Sequence, residues 1–298
     1  MFTDISLFRL QVLVKVVEAG GFKPAAERLK VSQPAVSNHL KALENELGIV
    51  LLERGRKPKL TYAGRLVYQF AHNTLQQAQE IERLTTELRQ AEVGQVAIGA
   101  SLSLGKHVLP GMLCKFARLN SGIHLRLSTG ITAKICDQVL TREVDLGLIM
   151  DPGHHFPALA LEPWRPEELV VVAYLEHPLA RQTLVPPVEL ANYGFVTPHR
   201  QSNNFQLVQN ALSNHGIVLK HSLLELDDPD CIKKAVLEGV GLAALLRCCV
   251  HEELYTGKLV QVRLNTSPII VPTCLVYRQD KLWSPSLQKF TSFLRKNM

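Results

Sequence analysis

Apolar residues recur on a helical period through the first part of the chain. Leu10, Leu13, Val14 and Val17 form one row, Phe22, Ala25, Ala26 and Leu29 a second, and Val36, Leu40, Leu43 and Leu47 a third. Steps of three and four put each row on one helix face, so the pattern predicts three amphipathic helices around a small shared core. Ser32 is a good N-cap for the third helix, and Pro34 falls in its first turn, where a missing N–H costs nothing. Val31 and Val36 are spaced for a hydrophobic staple across that cap. Residues 50–61 then give two short strand-like runs about Arg54-Gly55-Arg56-Lys57, a hairpin with a cationic tip.

The period changes next. Residues 62–90 contain no proline, and Val67, Ala71, Thr74, Ala78, Ile81, Thr85 and Leu88 alternate steps of four and three, a heptad seam with small knobs. From about residue 93 strands alternate with helices, which indicates an α/β region. Strands are expected at 96–100, 124–129, 144–150, 169–174, 194–197, 222–226, 242–246 and 269–277. Helices are expected at about 105–119, 132–141, 202–214, 230–238 and 284–296.

The outward positions of the third helix are Pro34, Ser37, Asn38, Lys41 and Asn45, rich in hydrogen-bonding groups and free of carboxylates. Such a row suits base edges and phosphates in a major groove. With Ser32 and Gln33 at its start, this helix is the candidate reader, and the helix before it would cross the backbone with Lys30 near phosphates. Arg54, Arg56 and Lys57 would lie along a phosphate row or dip into the minor groove. A plain three-helix bundle with solvated faces is the alternative for the first three rows, and the cationic hairpin tilts the reading further toward nucleic acid.

Ala25-Ala26, Leu29, Ser32-Gln33-Pro34-Ala35-Val36-Ser37, Leu43-Glu44, Leu47-Gly48, Arg54 and Leu60-Thr61-Tyr62-Ala63-Gly64 resemble the N-terminal signature of LysR-type transcriptional regulators. Lys23-Pro24 stands where that family usually has Ser or Thr, and Val50-Leu51-Leu52 where it usually has Leu-Phe; these touch packing and one phosphate contact. The resemblance implies an α+β multidomain chain. It would have a winged helix-turn-helix at 1–61, a long dimerising linker helix at 62–90, and at 91–298 a two-lobed α/β effector domain like a periplasmic solute-binding protein. Lobe I would take 91–165 and 269–298, lobe II 166–268, with crossovers near 165 and 268. It further implies a homodimer or homotetramer on a promoter dyad of double-stranded DNA, contact with RNA polymerase, and an effector whose binding between the lobes alters the spacing of the DNA-binding pairs.

Charge agrees with a DNA-binding N-terminus. The chain carries a formal net charge of +6, and residues 1–65 hold eleven Lys or Arg against six Asp or Glu, leaving +1 for the rest. At 298 residues there is room for about two domains. No apolar run is long enough to span a bilayer, and MFTDISLFRLQVLVK lacks the parts of a signal peptide, so a cytoplasmic protein without membrane contact is expected. Cys114, Cys136, Cys231, Cys248, Cys249 and Cys274 show no paired metal spacing and are expected as buried structural thiols; redox sensing through adjacent Cys248 and Cys249 is the alternative, although these two would pair only with strain.

In α/β sheets ligands sit where strand C-termini meet helix N-termini. Ala100-Ser101-Leu102-Ser103, Ser128-Thr129-Gly130 and Thr197-Pro198-His199-Arg200-Gln201-Ser202-Asn203 fit that description. Their hydroxyls and amides, with His199 or Arg200 for charge, point to a small carboxylate or inorganic anion as effector, although Ser and Thr at such places also simply cap helices. No cofactor or metal is expected. Enzyme motifs fail individually. Gly239-Val240-Gly241 follows a helix and leads into a strand, the reverse of a dinucleotide fingerprint. His251-Glu252-Glu253-Leu254-Tyr255 lacks the second histidine of a zinc protease, Gly99-Ala100-Ser101-Leu102-Ser103 the second glycine of a nucleophile elbow, and His154-His155 a third ligand. The competing reading is a ligand-binding module whose N-terminal helices contact protein rather than DNA.

Overall fold

The computed structural model describes residues 5–53, 58–89, 93–150 and 156–297, and its chain divides into two compact units, 1–89 and 90–298. In the first, α1 (Leu7–Glu18), α2 (Phe22–Leu29) and α3 (Gln33–Leu47) bury the three apolar rows against one another, with Leu13, Ala25, Val36 and Leu43 fully enclosed. Ser32 Oγ accepts from Ala35 N at 3.3 Å, Pro34 sits in the first turn, and Gly48 ends α3 at a φ of 67°, where a Cβ would be strained. Val31 and Val36 both pack into that core.

The hairpin follows as β1 (Leu52–Glu53) paired antiparallel with β2 (Lys59–Leu60); its tip, Arg54 to Lys57, lies outside the described residues. The helix after it, α4 (Tyr62–Arg89), is anchored by Thr61. Thr61 N–H and Oγ1 donate to the Leu51 and Val50 carbonyls at 3.0 and 2.8 Å, while Thr61 Oγ1 accepts from Gly64 N at 2.9 Å. A Cβ on Gly64 would overlap the Leu51 carbonyl. The heptad seam is divided in use: Val67 packs on the three-helix core and Ala71 is buried, whereas Ile81 and Thr85 are exposed; the Leu88 side chain lies outside the described set.

The second unit holds two sheets. In lobe I, β3 (Gly94–Ser101), β4 (Ile123–Gly130), β5 (Leu146–Met150), β6 (Leu159–Pro163) and β13 (Thr273–Arg278) run in the order β4-β3-β5-β13-β6. β3 is parallel to β4 and β5, and β13 antiparallel to β5 and β6. In lobe II, β7 (Glu167–Ala173) pairs antiparallel with β10 (Ala243–Leu246), β11 (Val260–Gln261) and β12 (Ile269–Val271). β8 (Phe195–Thr197) runs parallel to β9 (Ser222–Glu225) and bridges to Leu242. Helices α5 (Leu102–His107), α6 (Leu109–Leu119), α7 (Thr132–Leu140) and α11 (Pro285–Lys296) cover lobe I; α8 (Asn203–Ser213), α9 (Pro229–Leu237) and α10 (Arg247–Tyr255) cover lobe II.

Three expectations change. The helix expected at 105–119 begins at Leu102 and breaks at Val108, because Pro110 lacks an N–H and its ring clashes with the carbonyl four residues back. The strand expected at 269–277 is cut by Pro272, which has no N–H to donate. Residues 269–271 pair with β7 in lobe II, so the second crossover falls at Pro272 rather than near 268. The crossovers are laced together, Trp164 N donating to Thr273 O at 2.8 Å and Thr273 Oγ1 to Arg165 O. Finally, Cys136, Cys249 and Cys274 are buried as expected, but Cys114 and Cys231 are exposed and Cys248 half-buried. The short β6 and α10 were not expected: one is too brief for its period to show, the other lies in a polar run.

Candidate DNA-binding face and effector cleft

On α3 the buried row turns the rest of the helix outward. Ser32, Gln33, Pro34, Asn38 and Lys41 are exposed, and Ser37 is half-buried beside them. No side chain of Gln33, Asn38 or Lys41 has a hydrogen-bond partner among the described residues, so their donors are free for a ligand. Both carboxylates of α3 face elsewhere. Glu44 Oε1 accepts from Leu51 N at 2.8 Å and Leu52 N at 3.3 Å, which fixes the base of the wing, and Glu46 pairs with Arg9 of α1. Sequence reading missed this role of Glu44. Arg54, Arg56 and Lys57 lie outside the described residues.

In lobe I the parallel register sets Ala100 beside Thr129 and Ser101 beside Gly130, so two of the expected loops meet at one sheet edge. α5 can pack there because Gly105 leaves room for the Thr129 methyl. Ser101 is 2% exposed, and its Oγ is a buried polar atom with no hydrogen-bond partner. Buried hydroxyls are nearly always paired, so this one marks room for a ligand or water. Thr129 is exposed, Gly130 lies under the Lys134 stem, Ser128 Oγ bonds Gln138 at 3.2 Å, Leu102 is half-buried, and the Ala100 methyl is in the core.

Lobe II meets this edge through a narrow cavity lined by Ser103 and Met150 of lobe I and by Pro198, Asn204, Ile232 and Leu246 of lobe II. His199 and Arg200 do not line it. They are exposed and face Glu225, Arg200 Nε at 3.4 Å and His199 Nε2 at 4.0 Å, so a neighbouring carboxylate offsets the charge expected for the ligand. Ser202 Oγ caps α8 by accepting from Phe205 N at 3.1 Å, and Thr197 Oγ1 bonds Ser222 Oγ.

Lys106 of α5, which the sequence reading did not name, reaches across the seam. Its Nζ lies 2.5 Å from Asp228 Oδ2 and 3.1 Å from Asp230 Oδ2, at the start of α9. The Asp228 hydrogen bond pushes Lys106 up; burial pushes both aspartates up, but Lys106, with the Asp230 amide at Asp228 and His107 and Lys233 at Asp230, overrides it and holds both below the ordinary carboxylate value. Lys233 joins Asp230 at 3.4 Å and Glu253 at 2.9 Å. The enzyme-like glycines have a structural use: Gly239 ends α9 at a φ of 79°, and a Cβ on Gly241 would press on the Gly194 carbonyl. His154-His155 lie outside the described residues.

Residues 7–65 match the family described as bacterial regulatory helix-turn-helix protein, lysR family, and residues 89–298 the LysR substrate binding domain. The chain belongs to the LysR family of bacterial transcriptional regulators. Among LysR relatives, the uncharacterized HTH-type transcriptional regulator YeiE of Escherichia coli is 31% identical over 97% of both chains. The RuBisCO operon transcriptional regulator of Allochromatium vinosum is 30% identical over 97% of this chain and 95% of its own. Full-length CbnR, solved in a complex with target DNA, superposes with a TM-score of 0.74 at 20% identity, covering 99% of this chain and 100% of that one. A full-length OxyR variant of Pseudomonas aeruginosa gives 0.73 at 22%, covering 99% and 95%. These likenesses support the winged helix-turn-helix joined to an α/β effector domain, and set aside the reading of the N-terminal helices as a protein-contacting module.

Proposed function

We propose that this LysR-type regulator reads a promoter dyad with α3 and is switched by a small anion held between its lobes. The observation that carries the DNA contact is the exposed, carboxylate-free row on α3. Gln33, Ser37 and Asn38 face base edges, Ser32, Pro34 and Lys41 lie against the backbone, and Arg54, Arg56 and Lys57 on the wing neutralise phosphates. Exposed Tyr62, Leu66, Phe70 and Ile81 on α4 support pairing of two chains into a homodimer or homotetramer, which sets two readers on a dyad. The effector is a carboxylate or inorganic anion at Ser101, Ser103, Thr129 and Gly130, and Lys106 and Lys134 supply the charge that His199 and Arg200 do not. Its binding competes with Asp228 and Asp230 for Lys106, changes the angle between the lobes, and so alters contact with RNA polymerase. The protein works in the cytoplasm without a cofactor; among the described residues no helix is long and apolar enough to cross a membrane.

The test is capture of sheared DNA from the protein's own source at two salt concentrations, with sequencing of what is retained. A shared dyad near promoters supports the reading; retention without a common motif leaves only a basic surface. An Arg56→Ala and Lys57→Ala pair should lower the salt slope of affinity by up to about two. Bulky replacements at Ser101 and Thr129 should abolish the effector response; an unchanged midpoint would move the site elsewhere.

A further inference from the structure

Lobe II buries one titratable side chain that has no part in DNA or anion binding. His177 follows β7 and is 4% exposed. Its N–H donates to the Tyr174 carbonyl at 3.2 Å, and its own carbonyl accepts from Ala180 N at 2.9 Å. The ring meets Tyr174 edge-on and Tyr193 at a tilt, centroids 5.3 and 4.9 Å away. Pro178 then opens one 3-10 turn, Pro178–Arg181, and His177 Nδ1 caps it by accepting from Leu179 N at 3.2 Å.

A backbone N–H can only donate, so this bond settles the state of the imidazole: Nδ1 presents a lone pair and the ring is neutral. An imidazolium would set its own Nδ1 proton against the Leu179 N–H. The ring would have to turn away, and the turn that buries Leu179 would lose its cap. Leu179 shares a core with Val185 and Leu190 of the same segment and with Leu169 and Leu246 of the lobe II sheet. The titratable groups in contact with the ring are the Tyr174 and Tyr193 phenols. Glu176 and Arg181 flank it in the chain and are exposed, and Glu189 accepts from Gln182 at 3.0 Å. Among the described residues no carboxylate pairs with His177, and burial holds its pKa below the ordinary 6.5.

We propose that His177 is an acid-sensitive catch of lobe II: neutral, it ties segment 177–190 to the core, and protonated, it releases it. The catch is complete above about pH 6.5 and weakens as pH falls below that value, where the released ring takes up a proton that the closed one refuses.

The experiment follows amide hydrogen exchange of the full chain, resolved to single residues, at pH 7 and pH 5 with each rate corrected for its intrinsic pH dependence. Protection of the Leu179 amide should fall about tenfold from pH 7 to pH 5, while the β7 amides keep theirs. The ceiling over that interval is about 25-fold, set by a released imidazole titrating at 6.5. His177→Asn places an amide oxygen where Nδ1 stood, so it still accepts from Leu179 N but does not titrate, and its Leu179 protection should be equal at both pH values. A second measurement needs no variant: the His177 ring resonance of the unaltered chain should titrate with a midpoint below 6.5. Constant Leu179 protection in the unaltered chain, a pH dependence that survives in His177→Asn, or a midpoint at or above 6.5 would each overturn the proposal.

Discussion

The α3 face and the lobe seam are both polar, and they are organised in opposite ways. On α3 the donors of Gln33, Asn38 and Lys41 are exposed and, among the described residues, unpaired, and the carboxylates of the same helix are drawn off by Leu51, Leu52 and Arg9. At the seam Lys106 pairs across the lobes with Asp228 and Asp230, and within lobe II Lys233 pairs with Asp230 and Glu253. An exposed unpaired set acts only when a partner arrives, and costs little in the free protein. A mutually paired set holds an arrangement, and a ligand acts on it by competition. The first should therefore govern affinity without stability, and the second the state of the effector domain.

The sharpest contrast comes from a buried ion pair within lobe I. Asp145 accepts from Lys281 Nζ at 2.9 Å and Ala97 N at 2.8 Å, with the Lys281 side chain 2% exposed. Asp145→Ala should take the carboxylate away from that buried ammonium and cost about 3–5 kcal/mol, read by denaturant unfolding of the effector domain. DNA binding by the surviving folded fraction should be unchanged. Next, Gln33→Ala with Asn38→Ala should raise the dissociation constant for the specific dyad about 100-fold while the melting temperature stays within a degree or so. Anisotropy titration beside thermal unfolding separates the two effects, and a large loss of stability would erase the contrast. Gly64→Ala, at the junction of wing and α4, should cost about 1–3 kcal/mol, because the Leu51 carbonyl has to move; it would show as a lower melting temperature of the N-terminal unit.

Smaller effects probe the seam itself. Asp228→Asn with Asp230→Asn removes partly exposed pairs worth less than about 1 kcal/mol each, so stability should barely change. Effector affinity should change instead, since Lys106 is released; isothermal titration with a candidate anion measures it. The mildest test is pH. His107 is raised above 6.5 in the fold, so its contribution is complete below about 6.5 and fades as pH rises through the raised value. Hydrogen exchange of α5 and α10, corrected for intrinsic rate, should quicken over that window and not between pH 5 and 6.

This contrast also governs what the sequence could show. The α3 face was legible because its logic is local: the apolar row, the Ser32 cap and the outward residues all fall within sixteen positions, and the helical period aligns them. Lobe I strands β3 and β5 were legible from their apolar runs, and β4 from the alternation of His124, Leu125, Arg126 and Leu127. The Lys106–Asp228 pair joins residues 122 positions apart, and no period relates them. His199 and Arg200 looked like ligand cations because Glu225, a strand away, was not yet beside them. The breaks at Val108 and Pro272 were signalled by Pro110 and Pro272, but the continuous apolar pattern on either side outweighed a single residue. Glu44 belongs to the signature row, and its use became visible only when the start of β1 was folded back onto it.

The central claim is that α3 carries sequence recognition. It is tested most directly by repeating the genomic capture with Gln33→Ala and Asn38→Ala in the full chain beside the unaltered protein. The account predicts that the variant loses the shared dyad yet still retains bulk DNA at low salt, since its phosphate-binding cations are intact. Recovery of the same dyad with the same enrichment by both proteins would contradict it.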